Sequence, residues 1–453
     1  MDIFVHILSG RSSMKKAALH NLGCKVNAYE TEAMQEMLEK AGYEIVPFKE
    51  GADVYIINTC TVTNMADRKS RQMLHKARKM NPDAIVVAAG CYVQAQKEDE
   101  PVDSAIDIVI GNNRKKDLVE IIEEYIKERK SGELNEEEPL MEVIDINHTN
   151  EYEELELSTT TEHTRAYIKV QDGCNQFCSY CIIPFARGRV RSRKSEEVVE
   201  EVKRLVKEGY KEVVLTGIHL SSYGVDLEEH ETLLSLIEAV NMVNGLERIR
   251  LGSLEPRIVT EEFAKAISEM PKMCPHFHLS LQSGCDATLK RMNRRYSSDE
   301  YYEKCMLLRK YFDNPALTTD VIVGFPGETE EEFKESYDFV NKVGFYETHV
   351  FKYSRRHGTR ADKMPDQVRD EIKTKRSDML IELHERHKAE FEKSYCGRKV
   401  EVLVEEDAVV GGKEVQVGHT KEYIKIAISS RENLKNQIVK VEVPDNSEFF
   451  VEI

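Results

Sequence analysis

The 453-residue chain reads as an α/β protein in three parts: a doubly wound parallel α/β domain, a longer α/β region, and a small β-barrel of the OB-like kind. Three observations predict this. Apolar strands alternate with amphipathic helices through the first third of the chain, which favours a parallel sheet covered by helices. The same alternation resumes for six further units beyond an acidic interruption. From about Tyr395, short alternating strands separated by turn residues replace the helices.

In the first part, assigned to residues 14–128, a strand is predicted over 17–22 and a helix over 27–41. That helix places Ala33, Met34, Met37, Leu38 and Ala41 on one face, and Gly42 stops it. A strand over 54–57, a helix over about 66–80 and a buried strand over 85–89 follow. The segment 129–160 is predicted to be a solvated linker, because residues 131–158 hold ten Asp or Glu and no Lys or Arg. The third segment, 161–393, carries strands at 167–170, 213–215, 248–251, 276–281, 316–323 and 349–351, and a long charged helix over about 366–392 closes it. In the last segment, 394–453, strands are predicted at 399–404, 414–418, 423–427, 437–443 and 449–451, with turns at Gly411-Gly412 and Pro444-Asp445-Asn446.

Ten cysteines in a chain this long and charged argue for metal in a reducing cytoplasm rather than a disulfide framework. No apolar run approaches the roughly 20 residues that span a bilayer, so no membrane partner is expected. Residues 3–8 are too short for a signal core and lack a basic lead-in, and the natural start is expected at Met14. The net charge of −17 argues against nucleic acid, yet the acidic linker accounts for much of it, leaving −7 elsewhere. Basic residues cluster at Arg68 to Lys79, Arg187 to Lys194, Lys290 to Arg295 and Lys352 to Arg360. Solvated faces explain such runs in general; four of them beside cysteine or glycine loops make an RNA path plausible.

Two cysteine sets carry the chemistry. Cys174, Cys178 and Cys181 form a C-x-x-x-C-x-x-C loop that supplies three thiolates and no fourth ligand. Structural zinc is closed by four protein ligands, whereas a four-iron cluster held by three thiolates keeps one iron open. Cys24, Cys60 and Cys91 lie 36 and 31 residues apart, but each ends a predicted strand. Ligand sites of open parallel sheets form at the carboxyl ends of strands, so the three would converge on one edge. Three buried structural cysteines are the alternative. Cys274, Cys285, Cys305 and Cys396 read as thiols outside either set. His219, Glu255 and Gln282 also end predicted strands, where catalytic groups of α/β barrels gather, and a structural role suits each equally.

The C-x-x-x-C-x-x-C spacing, with Tyr180 just before its last cysteine, resembles the loop of the radical S-adenosylmethionine (SAM) enzymes, in which that aromatic packs the adenine of SAM. The words Leu22-Gly23-Cys24-Lys25-Val26-Asn27, Asn58-Thr59-Cys60-Thr61-Val62-Thr63-Asn64 and Gly90-Cys91-Tyr92 are similar to the N-terminal domain of the methylthiotransferases, radical SAM enzymes with a second cluster. The resemblance continues through Arg187-Gly188, Leu215-Thr216-Gly217, Tyr223-Gly224, Leu281-Gln282-Ser283-Gly284 and Val323-Gly324-Phe325-Pro326-Gly327-Glu328-Thr329. It implies that the third segment is a partial (β/α)6 TIM-like barrel and the last a TRAM domain, an RNA-binding module. That domain carries eleven acidic and eight basic residues, so any contact with RNA there must be local.

The resemblance also implies two 4Fe-4S clusters, on Cys24, Cys60 and Cys91 and on Cys174, Cys178 and Cys181. The second would bind SAM at its open iron and cleave it, with an electron from a donor such as flavodoxin or ferredoxin, to a 5′-deoxyadenosyl radical. The first would hold or donate sulfur methylated by another SAM, so two equivalents are used. Tyr180, Gly217, Glu255, Gln282, Gly324, Pro326 and Gly327 would contact SAM. Gly23-Cys24-Lys25-Val26-Asn27 resembles the MtaB subgroup, which acts on N6-threonylcarbamoyladenosine at position 37 of tRNA, beside the anticodon. Lys25 is then a candidate for recognising the substituent's carboxylate. The alternatives are the same chemistry on isopentenyladenosine or on a ribosomal-protein aspartate, and a non-catalytic metal-containing RNA-binding protein.

Overall fold

The computed structural model describes residues 15–96, 101–133, 138–157, 164–228, 231–444 and 450–452, and Met14 lies outside them. Two compact units divide the chain, 1–61 with 65–144, and 62–64 with 145–453.

The first unit runs β1 (Lys16–Asn21), α1 (Lys25–Lys40), β2 (Glu44–Ile45), β3 (Val54–Thr59), α2 (Asn64–Met80), β4 (Ile85–Gly90), α3 (Cys91–Gln94), β5 (Ile108–Ile110), α4 (Leu118–Ser131) and β6 (Leu140–Glu142). The strands pair in the order β2-β1-β3-β4-β5-β6, parallel throughout. Every residue of β3 and β4 is buried because helices cover both faces. Val54, Ile56 and Val87 meet Met34 and Leu38 of α1 and Ile122 of α4, while Tyr55, Ile57 and Val86 meet Leu74 and Ala77 of α2. The sheet is doubly wound, as the alternation predicts. The acidic stretch expected as a linker contributes structure: α4 runs into it, Leu140–Glu142 forms the sixth strand, and Glu153, Leu155 and Leu157 are buried. A strand at a sheet edge needs only one ladder partner and can turn charge to water, so acidic composition does not forbid it.

The second unit runs β7 (Arg165–Asp172), α5 (Ile183–Arg187), β8 (Arg191–Ser192), α6 (Ser195–Lys207), β9 (Glu212–Gly217), α7 (Leu233–Asn241), β10 (Arg248–Leu251), α8 (Glu261–Ser268), β11 (His276–His278), α9 (Asp286–Arg291), α10 (Ser298–Tyr311), β12 (Ala316–Val323), α11 (Glu330–Val343), β13 (Glu347–Lys352) and α12 (Asp370–Lys393). Six parallel strands follow one another as β7-β9-β10-β11-β12-β13, with β10 and β11 joined through the Ile249–Met273 and Leu254–Leu279 bridges. Among the described residues β13 does not pair with β7, so the barrel is partial. Ile168, Val213, Ile249, Phe277 and Val321 turn outward into the helix layer. The intervening residues line the lumen. β11 is shorter than the predicted 276–281, because the chain leaves the ladder and Gln282 takes a left-handed turn at φ 70°.

Five strands complete this unit: β14 (Lys399–Val410), β15 (Lys413–His419), β16 (Lys425–Ser429), β17 (Ile438–Glu442) and β18 (Phe450–Glu452), in the curled order β17-β14-β15-β16-β18. The loop between β15 and β16 closes the N-terminal mouth of the barrel. Tyr423 lies between the guanidiniums of Arg165 and Arg250, 4.9 and 4.8 Å from its ring, and stacks on His276 and His419. Beneath it Glu212 meets Arg250 at 2.9 Å, Arg248 at 3.7 Å and Arg165 at 4.0 Å. Arg248 donates to the carbonyls of His419 and Glu401, and Arg250 to those of Lys421 and Thr420.

Candidate cluster and cofactor sites

The first cysteine set sits where the sequence spacing puts it, at the carboxyl ends of three adjacent strands. Cys24 precedes α1, Cys60 follows β3, and Cys91 opens α3 directly after β4. Gly23, at φ 111°, brings these turns together: a Cβ there would lie 2.9 Å from the Cys60 Cβ and 3.0 Å from its sulfur. Asn27 Nδ2 donates to the carbonyls of Leu22 (2.7 Å) and Thr59 (2.9 Å), lashing the Cys24 turn to the Cys60 turn. The Thr59 hydroxyl donates to the Ala89 carbonyl and accepts from Tyr92 N, joining the Cys91 turn. Cys24 is exposed; Cys60 and Cys91 are buried.

A buried relay supports Cys91. Glu30 and Lys115, both without solvent exposure, pair at 3.1 Å, and Lys115 Nζ donates to Asn112 Oδ1 at 2.5 Å. That bond fixes the amide so that its Nδ2 faces Cys91 Sγ, 3.6 Å away. A donor aimed at a sulfur suits a metal-bound thiolate better than a thiol. Three cysteines on turns joined by such a network are a donor set that fits an iron–sulfur centre.

The second set lies on the loop after β7. Asp172, buried, meets three buried cations: Lys169 at 2.7 Å, Arg187 at 3.1 Å and Arg191 at 3.8 Å. Its Oδ1 also accepts from Gly173 N. Gly173, at φ 70°, has room for no side chain, since a Cβ would fall 1.8 Å from the Arg189 carbonyl oxygen. Cys174 N then donates to the Gly188 carbonyl, Ser179 N to the Met292 carbonyl and Asn293 Nδ2 to the Phe177 carbonyl. Arg294 Nη1 lies 3.4 Å from Cys178 Sγ. Burial pushes the Cys174 thiol up to about 11 and the Cys181 thiol up to about 12, and charge on Cys178 raises both further. A cationic centre would be needed to hold Cys174 and Cys181 as thiolates at neutral pH. The donor set fits a cluster with three thiolate ligands.

The remaining sequence candidates lie at the same strand ends. His219 N donates to Gln171 Oε1, and Gln171 Nε2 donates to the carbonyls of Asp172 and Gly173 at the cysteine loop. Burial, then the charges of Arg294 and Arg257, lowers His219 to about 4, which keeps it neutral. Glu255 takes Ser221 at its backbone and Arg257 at its carboxylate. Tyr180 meets Phe325 edge-on at 6.3 Å. Gly217 ends β9, and Gln282 exchanges backbone bonds with Asp320 and Ile322. In the turn after β12, Gly324 N donates to Glu328 and Gly327 N to the Asp366 carbonyl, with Pro326 buried between them. Lys25, exposed, opens α1.

One sequence expectation is corrected. Arg187, Arg191 and Arg193, read as part of an RNA path, are buried; the first two serve Asp172 and the third pairs with Glu201. Their carboxylate partners lie elsewhere in the chain, so the basic run looked unpaired. Arg189 alone of the four arginines stays exposed, 4.7 Å over the Phe177 ring. Arg294, Asp172, Lys115 and Asn112 were not singled out by sequence, and only Arg294 gave a signal, as one of a basic cluster.

Both cysteine sets fall within segments that match known families. Residues 168–340 match the Radical SAM superfamily and residues 16–111 the Uncharacterized protein family UPF0004. A Bacillus subtilis protein named threonylcarbamoyladenosine tRNA methylthiotransferase MtaB is 41% identical over 431 residues, covering 95% of this chain and 94% of its own. A Finegoldia magna protein named tRNA-2-methylthio-N(6)-dimethylallyladenosine synthase is 35% identical, covering 94% and 91%. The radical SAM methyltransferase TsrM from Kitasatospora setae, solved with tryptophan and a SAM analogue, superposes with a TM-score of 0.55 at 16% identity, over 74% of this chain and 73% of its own. That likeness concerns the fold alone. No helix among the described residues is long and apolar enough to cross a membrane.

Proposed function

The chain belongs to the radical SAM tRNA methylthiotransferases, and from that premise we propose that it converts N6-threonylcarbamoyladenosine at position 37 of tRNA to its 2-methylthio derivative. The observation that carries the reading is two sets of three thiols in one chain, one on a single loop and one at three adjacent strand ends. Methylthiolation of an adenine needs a radical to break an aromatic C–H bond and a second centre to deliver sulfur, and side chains alone supply neither. For the substituent, relatives named for threonylcarbamoyladenosine reach 41% identity and those named for the dimethylallyl substrate 38%, a small margin that the Gly23-Cys24-Lys25-Val26-Asn27 word supplements.

Cys174, Cys178 and Cys181 would hold the SAM-binding 4Fe-4S cluster, and Cys24, Cys60 and Cys91 the second. A cluster held by Cys174, Cys178 and Cys181 would supply reductive cleavage of SAM, passing on an electron from the external donor. The chain's own residues do the rest. Asp172 and its three cations fix the approach of the cysteine loop, and Arg294 offers its N–H to Cys178, favouring the reduced, more negative state. Neutral His219, with Tyr180, Gly217, Glu255, Gln282, Gly324, Pro326 and Gly327, would bound the SAM cavity, and Lys25 would meet the substrate carboxylate. The reading includes two SAM equivalents per turnover, an electron donor of the flavodoxin or ferredoxin kind, and a cytoplasmic setting.

Nucleoside mass spectrometry of tRNA from a deletion strain tests the substrate. The methylthio derivative of threonylcarbamoyladenosine should vanish; loss of the isopentenyl derivative alone would overturn the substrate assignment. Anaerobic reconstitution should load about eight irons per chain, and a chain that takes up about four would refute the second cluster.

A further inference from the structure

Beyond the residues of the two cysteine sets, the parallel register of the barrel brings together three metal-ligating side chains from three neighbouring strands. His278 lies on β11, Asp320 on β12 and His349 on β13. Thr318 pairs with His278, and Asp320 pairs with His349. All three alternate with residues that pack into the helix layer, Phe277, Val321 and Val350, so they face the lumen. One donor atom from each lies within 4.8 Å of the other two.

Pairing alone explains only part of this group. His278 Nε2 stands 3.2 Å from Asp320 Oδ2, which would suit a simple ion pair. His349 has no hydrogen-bond partner among the described residues, yet its ring lies 5.7 Å from that of His278, inclined by 26°. Two imidazoles on one tetrahedral ion, with bonds of about 2.0–2.1 Å, would have centroids about 5 Å apart and donor atoms about 3.4 Å apart. The His278–Asp320 separation already matches, and His349, within 4.8 Å of both, would need to close by at most about 1.4 Å. A further support holds His278: its Nδ1 meets the Thr318 hydroxyl at 2.9 Å, the arrangement that fixes a ligating imidazole with Nε2 toward the ion.

We propose that His278, Asp320 and His349 bind one divalent first-row transition metal ion. Two imidazoles and one carboxylate are the ligand set of open zinc and non-haem iron(II) sites. Such an ion keeps a position for water or an anionic oxygen ligand within the lumen. His349 is exposed, which gives the ion a way in from solvent.

Zinc tests the site, because iron analysis is dominated by the clusters. The fully reconstituted enzyme is given Zn2+, passed through a desalting column and analysed for both metals. One zinc per chain should remain, at unchanged iron content. His349→Gln and Asp320→Asn should each lower zinc retention at least tenfold while iron content and melting temperature hold. Zinc retained equally by all three proteins, or by none, would overturn the proposal. The exposed position of His349 makes its variant a test that does not depend on the core.

Discussion

Glu212 offers the sharpest test of how the β-domain is held to the barrel. Its carboxylate is 2% exposed and faces three guanidiniums, of which Arg248 and Arg250 are equally buried. Burial alone would raise its carboxyl, but Arg250, with Arg165 and Arg248 behind it, holds it below the usual value. Glu212→Gln keeps the shape and removes the charge, leaving these cations without their carboxylate. Deleting one partner of a buried pair costs about 3–5 kcal/mol. The low end applies, since Arg165 retains Glu405 at 3.1 Å and the other two keep backbone carbonyls. At roughly 2 °C per kcal/mol for a large unit, a loss of about 3 kcal/mol lowers the melting temperature by about 6 °C at pH 7. The sign with pH follows from a depressed folded value. The stabilisation is complete above the unfolded carboxyl's pKa of about 4.3 and disappears as pH falls through the lower folded one. The gap between wild type and variant should therefore be full at pH 6–7 and close in acid. Melts of both proteins by circular dichroism across pH 3–7 measure it. A variant that melts within about 1 °C of wild type at pH 7, or a gap that stays constant in acid, would refute the reasoning.

Two further outcomes follow from the cysteine sites. Gly173→Ala must place a Cβ against the Arg189 carbonyl and hold an L-residue at φ 70°, a conformation costing about 1–2 kcal/mol before any clash; after reconstitution it should lose about four irons, those of the barrel loop, while the other set stays loaded. Asn112→Leu removes the donor that faces Cys91, worth about 1 kcal/mol; an EPR-monitored redox titration should find the N-terminal-domain cluster about 40 mV more negative for a one-electron couple, and an unchanged potential would mean the bond carries nothing.

Local pattern made much of the molecule legible. β1, β3 and β4 announced themselves by apolar runs bounded by Gly-Cys or Thr-Cys, and their shared parallel direction was enough to bring Cys24, Cys60 and Cys91 to one edge. β5 and β6 escaped notice because three residues carry no period, and β6 is written in acidic sequence. The basic runs misled for a different reason: charge pairing is a property of the folded chain, and Asp172 lies 15 residues from Arg187 in sequence but 3.1 Å in space. His278, Asp320 and His349 were invisible as a group, since only strand register makes neighbours of residues 42 and 29 positions apart. The plug of Tyr423 between two arginines was equally hidden, because it joins separate elements through cation–π contacts that leave no periodic mark.

The two thiol sets differ in when they can exist. Cys174, Cys178 and Cys181 sit within eight residues, so an unfolded or nascent chain already holds them near one another. Cys24, Cys60 and Cys91 meet only after β3 has taken its place between β1 and β4. A centre bridging them would cross-link three strands of a finished sheet, enclosing segments of 36 and 31 residues. On the proposed reading, loading of the first unit would wait for its folding, whereas the barrel loop could capture iron during synthesis. Maturation acquires an order, and chelation should unlock the first unit's strand ends without dissolving the apolar layers on either face of its sheet.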